Sequence, residues 1–139
     1  MQATLEWTGN GKAFEATPPS GFKIVFDTDP DFGGTGAGPM PLETMVCAIA
    51  ACTALDVLSI LEKKRQKVTA YRVEVDWDRD PPGDWPRPIK AIRIRHVVEG
   101  ENIEEAALAR AIELSDQKYC SATATLRFGP TIANEWQII

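Results

Sequence analysis

The most reactive groups in this sequence are the sulfurs of Cys47, Cys52 and Cys120. Cys52 sits in Ala50-Ala51-Cys52-Thr53, where small side chains leave room around it. Free cysteine is among the most buried residue types, so packing alone explains a buried sulfur unless its surroundings favour the thiolate. Cys47 points to a different helix face from Cys52 and has no charge partner nearby. Cys120 differs, because it follows Lys118 and stands where a helical turn is expected to begin; both features place positive potential near its sulfur. The separation of Cys52 from Cys120 fits no zinc spacing, and one histidine leaves a metal site short of ligands, so no metal and no cofactor is expected. That histidine, His96, would be the base of a cysteine hydrolase pair, but a lone strand histidine is more often structural.

These residues need elements to hold them. Ala3, Leu5 and Trp7, then Phe22, Ile24 and Phe26, alternate with polar neighbours at the period of half-buried strands. Thr8-Gly9-Asn10-Gly11 and Pro18-Pro19-Ser20-Gly21 supply turns, giving an antiparallel meander of two or three strands over residues 1 to 28. Thr28 to Pro41 reads as an irregular loop. Pro41-Leu42-Glu43 opens a helix to about Arg65, with Glu43 favoured by the positive end of the helix dipole. Through Leu55 that helix is apolar on nearly every side and must be covered on all of them. One small sheet covers one face, so a second copy of the chain is expected to cover the rest.

Thr69 to Asp78 alternates as a strand with one wet face, and residues 80 to 88 connect it to a second strand carrying Ile92, Ile94, His96 and Val98, ended by Gly100. Asn102 with Glu105 resembles a capping box opening an amphipathic helix to about Asp116. A helical turn is expected after Cys120, and a last strand over Thr131 to Ile139. The whole, residues 1–139, reads as one domain.

The net charge of −5 excludes a protein built to hold nucleic acid or anionic lipid. The apolar run Met45 to Leu55, closed by Asp56, is short of the ~20 residues of a membrane span and reads as a core helix. MQATLEWTGNGK lacks the basic start and apolar core of a secretory signal, so a cytoplasmic location is expected. There, an odd count of 3 cysteines implies free thiols rather than a disulfide framework.

The stretch PMPLETMVCAIAACTALDVLSILEKKR, with KYCSATATL further on, resembles the two cysteine motifs of the OsmC/Ohr family, and GPMPLE and CTALDV look like its YhfA-like branch. The resemblance implies an α+β, OsmC-like fold: antiparallel sheets wrapped around long central helices in an intertwined homodimer, with sites at the interface. It implies that Cys52 is the peroxidatic thiol and Cys120 the resolving thiol of a peroxidase acting on organic hydroperoxides, reset by an external thiol or lipoyl reductant. Glu43 is carried over from a family glutamate that falls here on Leu42, one step earlier. Well-characterised members place an arginine from an N-terminal loop against the reactive cysteine; here none precedes Arg65, and Lys12 and Lys23 are the cations at hand. The alternatives are a non-enzymatic protein holding a small hydrophobic ligand in the interfacial pocket, and a transferase or hydrolase using Cys120.

Overall fold

The computed structural model describes residues 1–138. The chain forms two compact units, Met1–Cys47 and Ala48–Ile139, and its longest helix, α1 (Pro41–Lys63), crosses from one to the other.

In the first unit β1 (Thr4–Trp7), β2 (Phe14–Thr17) and β3 (Ile24–Phe26) form the expected antiparallel meander in the order β1-β2-β3, with Leu5 opposite Ala16 and Phe14 opposite Phe26. Thr8 closes the first turn, its hydroxyl donating to the Ala13 carbonyl at 3.1 Å, and the Gly21 N–H donates to the Pro18 carbonyl at 2.9 Å in the second. The pattern of β1 does not bury a face, however. Leu5 and Trp7 stay 59% and 60% exposed, because alternation marks a face fit for burial without supplying a cover.

The segment after β3 is an irregular loop, as expected, apart from one short helical turn, and Asp27 organises it. This buried carboxylate accepts the N–H groups of Thr28, Thr35 and Ala37 at 2.8, 2.9 and 3.1 Å and the Thr35 hydroxyl at 2.9 Å. The backbone donors of Thr35, Thr28 and Ala37 hold its pKa well below the usual carboxylate range. Asp29 caps the short helical turn Pro30–Phe32 through the Asp31 N–H. Gly34 is required where the loop passes Thr28, since a Cβ there would collide with the Thr28 carbonyl.

At the start of α1 the Glu43 carboxylate accepts the Met40 N–H at 2.9 Å while the Thr44 N–H donates to the Met40 carbonyl, half of a capping box. The helix ends two residues before the expected Arg65. Arg65 itself turns left-handed (φ 57) and the Gln66 N–H reaches back to the Leu61 carbonyl at 3.0 Å, a Schellman-type stop made without glycine.

The second unit is built on α1 from Ala48 onward, a long antiparallel hairpin of β4 (Lys67–Arg79) and β5 (Ile89–Glu101), and the helix α2 (Glu105–Leu114). Its core joins Val57 and Leu61 of α1 to Ala107 and Ala111 of α2, with Val68, Tyr71 and Val98 of the hairpin against them. By length and mean hydropathy, 2.1 over 18 residues, α1 would suit a membrane, yet its Val57 and Leu61 are fully buried in this core. It is a core helix. The opposite face of the hairpin is wet and charged, Arg93 pairing with Asp76 and Asp78 and Arg95 with Glu74.

Three local expectations change. Gly100 does not end β5: the strand continues to Glu101, and Gly100 lets the chain pass the Lys67 carbonyl, where a Cβ would collide. Asn102 does not cap α2; it takes a left-handed turn (φ 52), and Gln66 accepts the Glu104 N–H through its side chain at 2.8 Å. No strand forms over residues 131–138, and Ile139 lies outside the described residues. An apolar stretch is fit for a ladder but becomes a strand only when its backbone pairs, and this one pairs with none of the described strands. The expected turn after Cys120 is a true helix, α3 (Ser121–Phe128), reached through a π-helical turn, Ser115–Tyr119.

Two expectations of stability follow. Leu61→Ala should destabilise the protein by about 2–5 kcal/mol in denaturant unfolding, since the side chain is fully buried and its cavity can close only partly. The lowered pKa of Asp27 means that its contribution is complete above the ordinary carboxyl value and is lost as pH falls through the folded-state pKa. Asp27→Asn should therefore melt below the parent at about pH 7, with the gap narrowing at about pH 3. A gap that widens in acid would contradict this role.

Candidate functional site

The second unit brings Cys52, Asp56 and Cys120 together, with one sulfur or carboxylate oxygen from each within 4.8 Å of the others. Two of the three come from α1, where a spacing of four residues puts side chains on one face. The third depends on a chain of contacts running back from α2. Ser115, fully buried at the end of α2, donates its hydroxyl to Asp56 Oδ2 at 3.0 Å and shares a 2.9 Å hydrogen bond with Thr53 Oγ1. Its carbonyl accepts the Cys120 N–H at 2.8 Å across the π-helical turn. The cysteine is thus held one turn away from an anchor that grips α1.

Cys120 is 3% exposed and is the N-cap of α3. Its sulfur accepts the Thr123 hydroxyl at 3.1 Å and the Thr123 N–H at 3.4 Å, the place an N-cap oxygen normally takes. Burial pushes the Cys120 thiol up, but Thr123, the Cys52 thiol and the Ala122 N–H favour its thiolate more strongly, and the net shift is downward. At the more exposed Cys52 the balance is reversed. The Ala122 N–H favours its thiolate, but burial, the Cys120 sulfur and the Asp56 carboxylate outweigh it and raise the pKa. These opposite shifts favour the thiolate at Cys120 over that at Cys52.

Beside this cluster lies a cavity of about 470 Å³, walled by Ile60, Leu114 and Tyr119, with Asp56, Lys63 and Lys64 around it. All of its lining belongs to the second unit.

Of the residues marked in the sequence, Cys52 and Cys120 therefore meet, while Glu43 belongs to the first unit and caps α1. Cys47 is exposed and lies outside the cluster. His96 donates to or accepts from the Tyr71 hydroxyl at 2.6 Å, and burial lowers its pKa; it is a structural residue of the hairpin. Sequence reasoning passed over Asp56, Ser115 and Thr123. Asp56 carries a readable signal, four residues after Cys52, but an acid that closes an apolar run ordinarily marks only its end.

The OsmC-like protein family model matches residues 34–135. The chain is 34% identical to protein YhfA of Escherichia coli strain K12 over 140 aligned positions, covering 100% of this chain and 98% of that one. A hypothetical protein from Aquifex aeolicus superposes with a TM-score of 0.76 at 30% identity, covering 92% of this chain and 87% of that one. An organic hydroperoxide resistance protein OsmC from Legionella pneumophila shares the fold at a TM-score of 0.61 and 16% identity, over 91% and 88% of the two chains. By family match, full-length identity and its α+β architecture of antiparallel sheets and one long helix, the chain belongs to the OsmC-like family.

Proposed function

We propose that this protein is a thiol-dependent peroxidase that reduces organic hydroperoxides, with Cys52 as the attacking sulfur and Cys120 as the resolving one. The observation that carries the reading is the convergence of two sulfurs from distant parts of the chain, one of them more exposed and the other buried on an N-cap. The name of the Legionella relative, an organic hydroperoxide resistance protein, supports the substrate class.

In this reading Cys52 attacks the peroxide as its proton passes to the neighbouring Cys120 sulfur. The O–O bond breaks, an S–O bond forms, and the departing alkoxide takes the proton back from Cys120 and leaves as the alcohol, so that Cys52 becomes a sulfenic acid and Cys120 a thiolate. Cys120 then attacks that sulfur; the S–O bond breaks, an S–S bond forms, and the departing hydroxide takes a proton from solvent and leaves as water. An external thiol or lipoyl dithiol returns two electrons and restores both thiols. The Thr123 and Ala122 donors favour negative charge on Cys120 without a cation, which lets that sulfur take up the Cys52 proton. The cavity beside Asp56 suits an alkyl chain against Ile60, Leu114 and Tyr119. Glu43 enters as a positioning residue that fixes the start of α1.

The same site has a second reading as the pocket of a non-enzymatic binding protein, favoured by the cavity alone. Residues 1–139 act as one domain in this proposal, since the family match at 34–135 runs across the boundary between the two units. The working form is a cytoplasmic homodimer. Leu55 of α1 is 69% exposed, and Phe128, Ile132 and Trp136 exceed 80%, an apolar surface that a second copy would cover.

Cys52→Ser should abolish turnover of cumene hydroperoxide with a dithiol reductant, a loss of at least about a hundredfold, whereas Cys47→Ser should stay near the parent. Brief oxidation should consume Cys52 and Cys120 and leave Cys47 free, read by thiol counting and peptide mapping. Full activity in Cys52→Ser would remove the chemistry; inactive parent protein would favour the binding reading. Sedimentation should find a dimer at micromolar concentration, and a stable folded monomer would refute the interlocked assembly.

A further inference from the structure

We infer that reduced Cys52, Asp56 and Cys120 form a binding site for one thiophilic divalent cation of the zinc class. The donor set is two sulfurs and one carboxylate oxygen, all within 4.8 Å of one another. Three protein ligands with a fourth tetrahedral position left to water is the composition of an open zinc site. Closing the trio onto an ion with Zn–S of ~2.3 Å and Zn–O of ~2.0–2.2 Å needs shifts of at most about 1 Å in these side chains.

Two features of the surroundings favour a ligand here. Asp56 has no ion-pair partner among the described residues: the salt bridges all use other carboxylates, and Lys63 and Lys64 line the adjoining cavity without pairing to it. The carboxylate is also held in place, its Oδ2 accepting the hydroxyl of buried Ser115, which is bonded in turn to Thr53. Such outer support orients a ligating carboxylate before the ion arrives. Cys120 is fixed in the same way by its place at the N-cap of α3.

Binding breaks two S–H bonds, forms two metal–sulfur bonds and one metal–oxygen bond, and releases two protons to solvent; no electron moves. A divalent ion reduces the three negative charges of the ionised trio to one. Sulfurs engaged in this way no longer attack a peroxide, and a Cys52–Cys120 disulfide no longer binds the ion. The cation and the oxidant therefore compete for the same pair. The inference uses the geometry of the pair and does not rest on the peroxidase reading.

The test titrates the fully reduced protein with Cd2+, following the ultraviolet thiolate-to-cadmium charge-transfer band, and with Zn2+ against a chromophoric chelator. The expected result is one ion per chain, unchanged in Cys47→Ser. Cys52→Ser and Cys120→Ser should each weaken binding and reduce the band, and Asp56→Asn, which keeps the shape of the side chain, should weaken Zn2+ by at least about tenfold. Circular dichroism confirms that each variant is folded. Absence of stoichiometric binding, retention of the full band in the Cys52→Ser/Cys120→Ser double variant, or an Asp56→Asn affinity equal to the parent would overturn the site. Peroxide turnover is assayed separately, so an inactive protein that binds one ion refutes the peroxidase alone, and an active protein that binds none refutes the metal site alone.

Discussion

A single buried hydroxyl, that of Ser115, holds the chemistry of the second unit together. It bonds Thr53 and Asp56 on α1, while the carbonyl of the same residue accepts the Cys120 N–H. The apolar contacts among Val57, Leu61, Ala107 and Ala111 press α2 against α1, but such contacts are non-directional and tolerate sliding. Hydrogen bonds have defined angles. The Ser115 bonds therefore convert a loose packing of two helices into one register, and the register decides whether the two sulfurs meet. Ser115 has no exposed surface, so an unpartnered hydroxyl there would carry the desolvation cost of a buried polar group.

The broad architecture was legible because it rests on periodicity. The alternation of Tyr71, Val73, Val75 and Trp77 marked β4, and the unbroken apolar run after Pro41 marked α1. Both are local signals. What is not legible depends on partners distant in sequence: the left-handed turn at Asn102 goes with Gln66 reaching the Glu104 N–H, and the apolar residues near the C-terminus pair with none of the described strands. The loop after β3 is legible as a loop from its glycines and prolines, but what organises it is one acid, Asp27, whose four donors are nowhere implied by composition. At the site, the cysteines could be named from their motifs and Asp56 could not, since an acid after an apolar stretch ordinarily marks only its end.

The electrostatics of the pair follow a similar division. The family resemblance calls for an arginine to stabilise a thiolate, and the sequence has none before Arg65. The folded chain supplies neutral donors instead, the Thr123 hydroxyl and backbone N–H groups at the head of α3. The Thr123 donors act on the sulfur that occupies the cap, while the Ala122 N–H favours negative charge on both sulfurs. Asp56 acts against the thiolate at Cys52. The asymmetry between two chemically identical side chains thus comes from position alone, one on a helix flank and one at a helix end.

The π-helical turn at Ser115–Tyr119 has a geometric implication of its own. A π-turn closes its hydrogen bond over five residues rather than four, so it contains one residue more than an α-helix would use for the same advance. Each residue of an α-helix rotates the chain by roughly 100°. The surplus residue acts as a phase shifter: α2 presents its apolar stripe to the core, and the extra step brings Cys120 around to the azimuth of α1. The direction in which this cysteine points is therefore encoded by a count of residues, and a chain of the same composition with a plain α-turn at this point would carry the thiol on the wrong side of the helix.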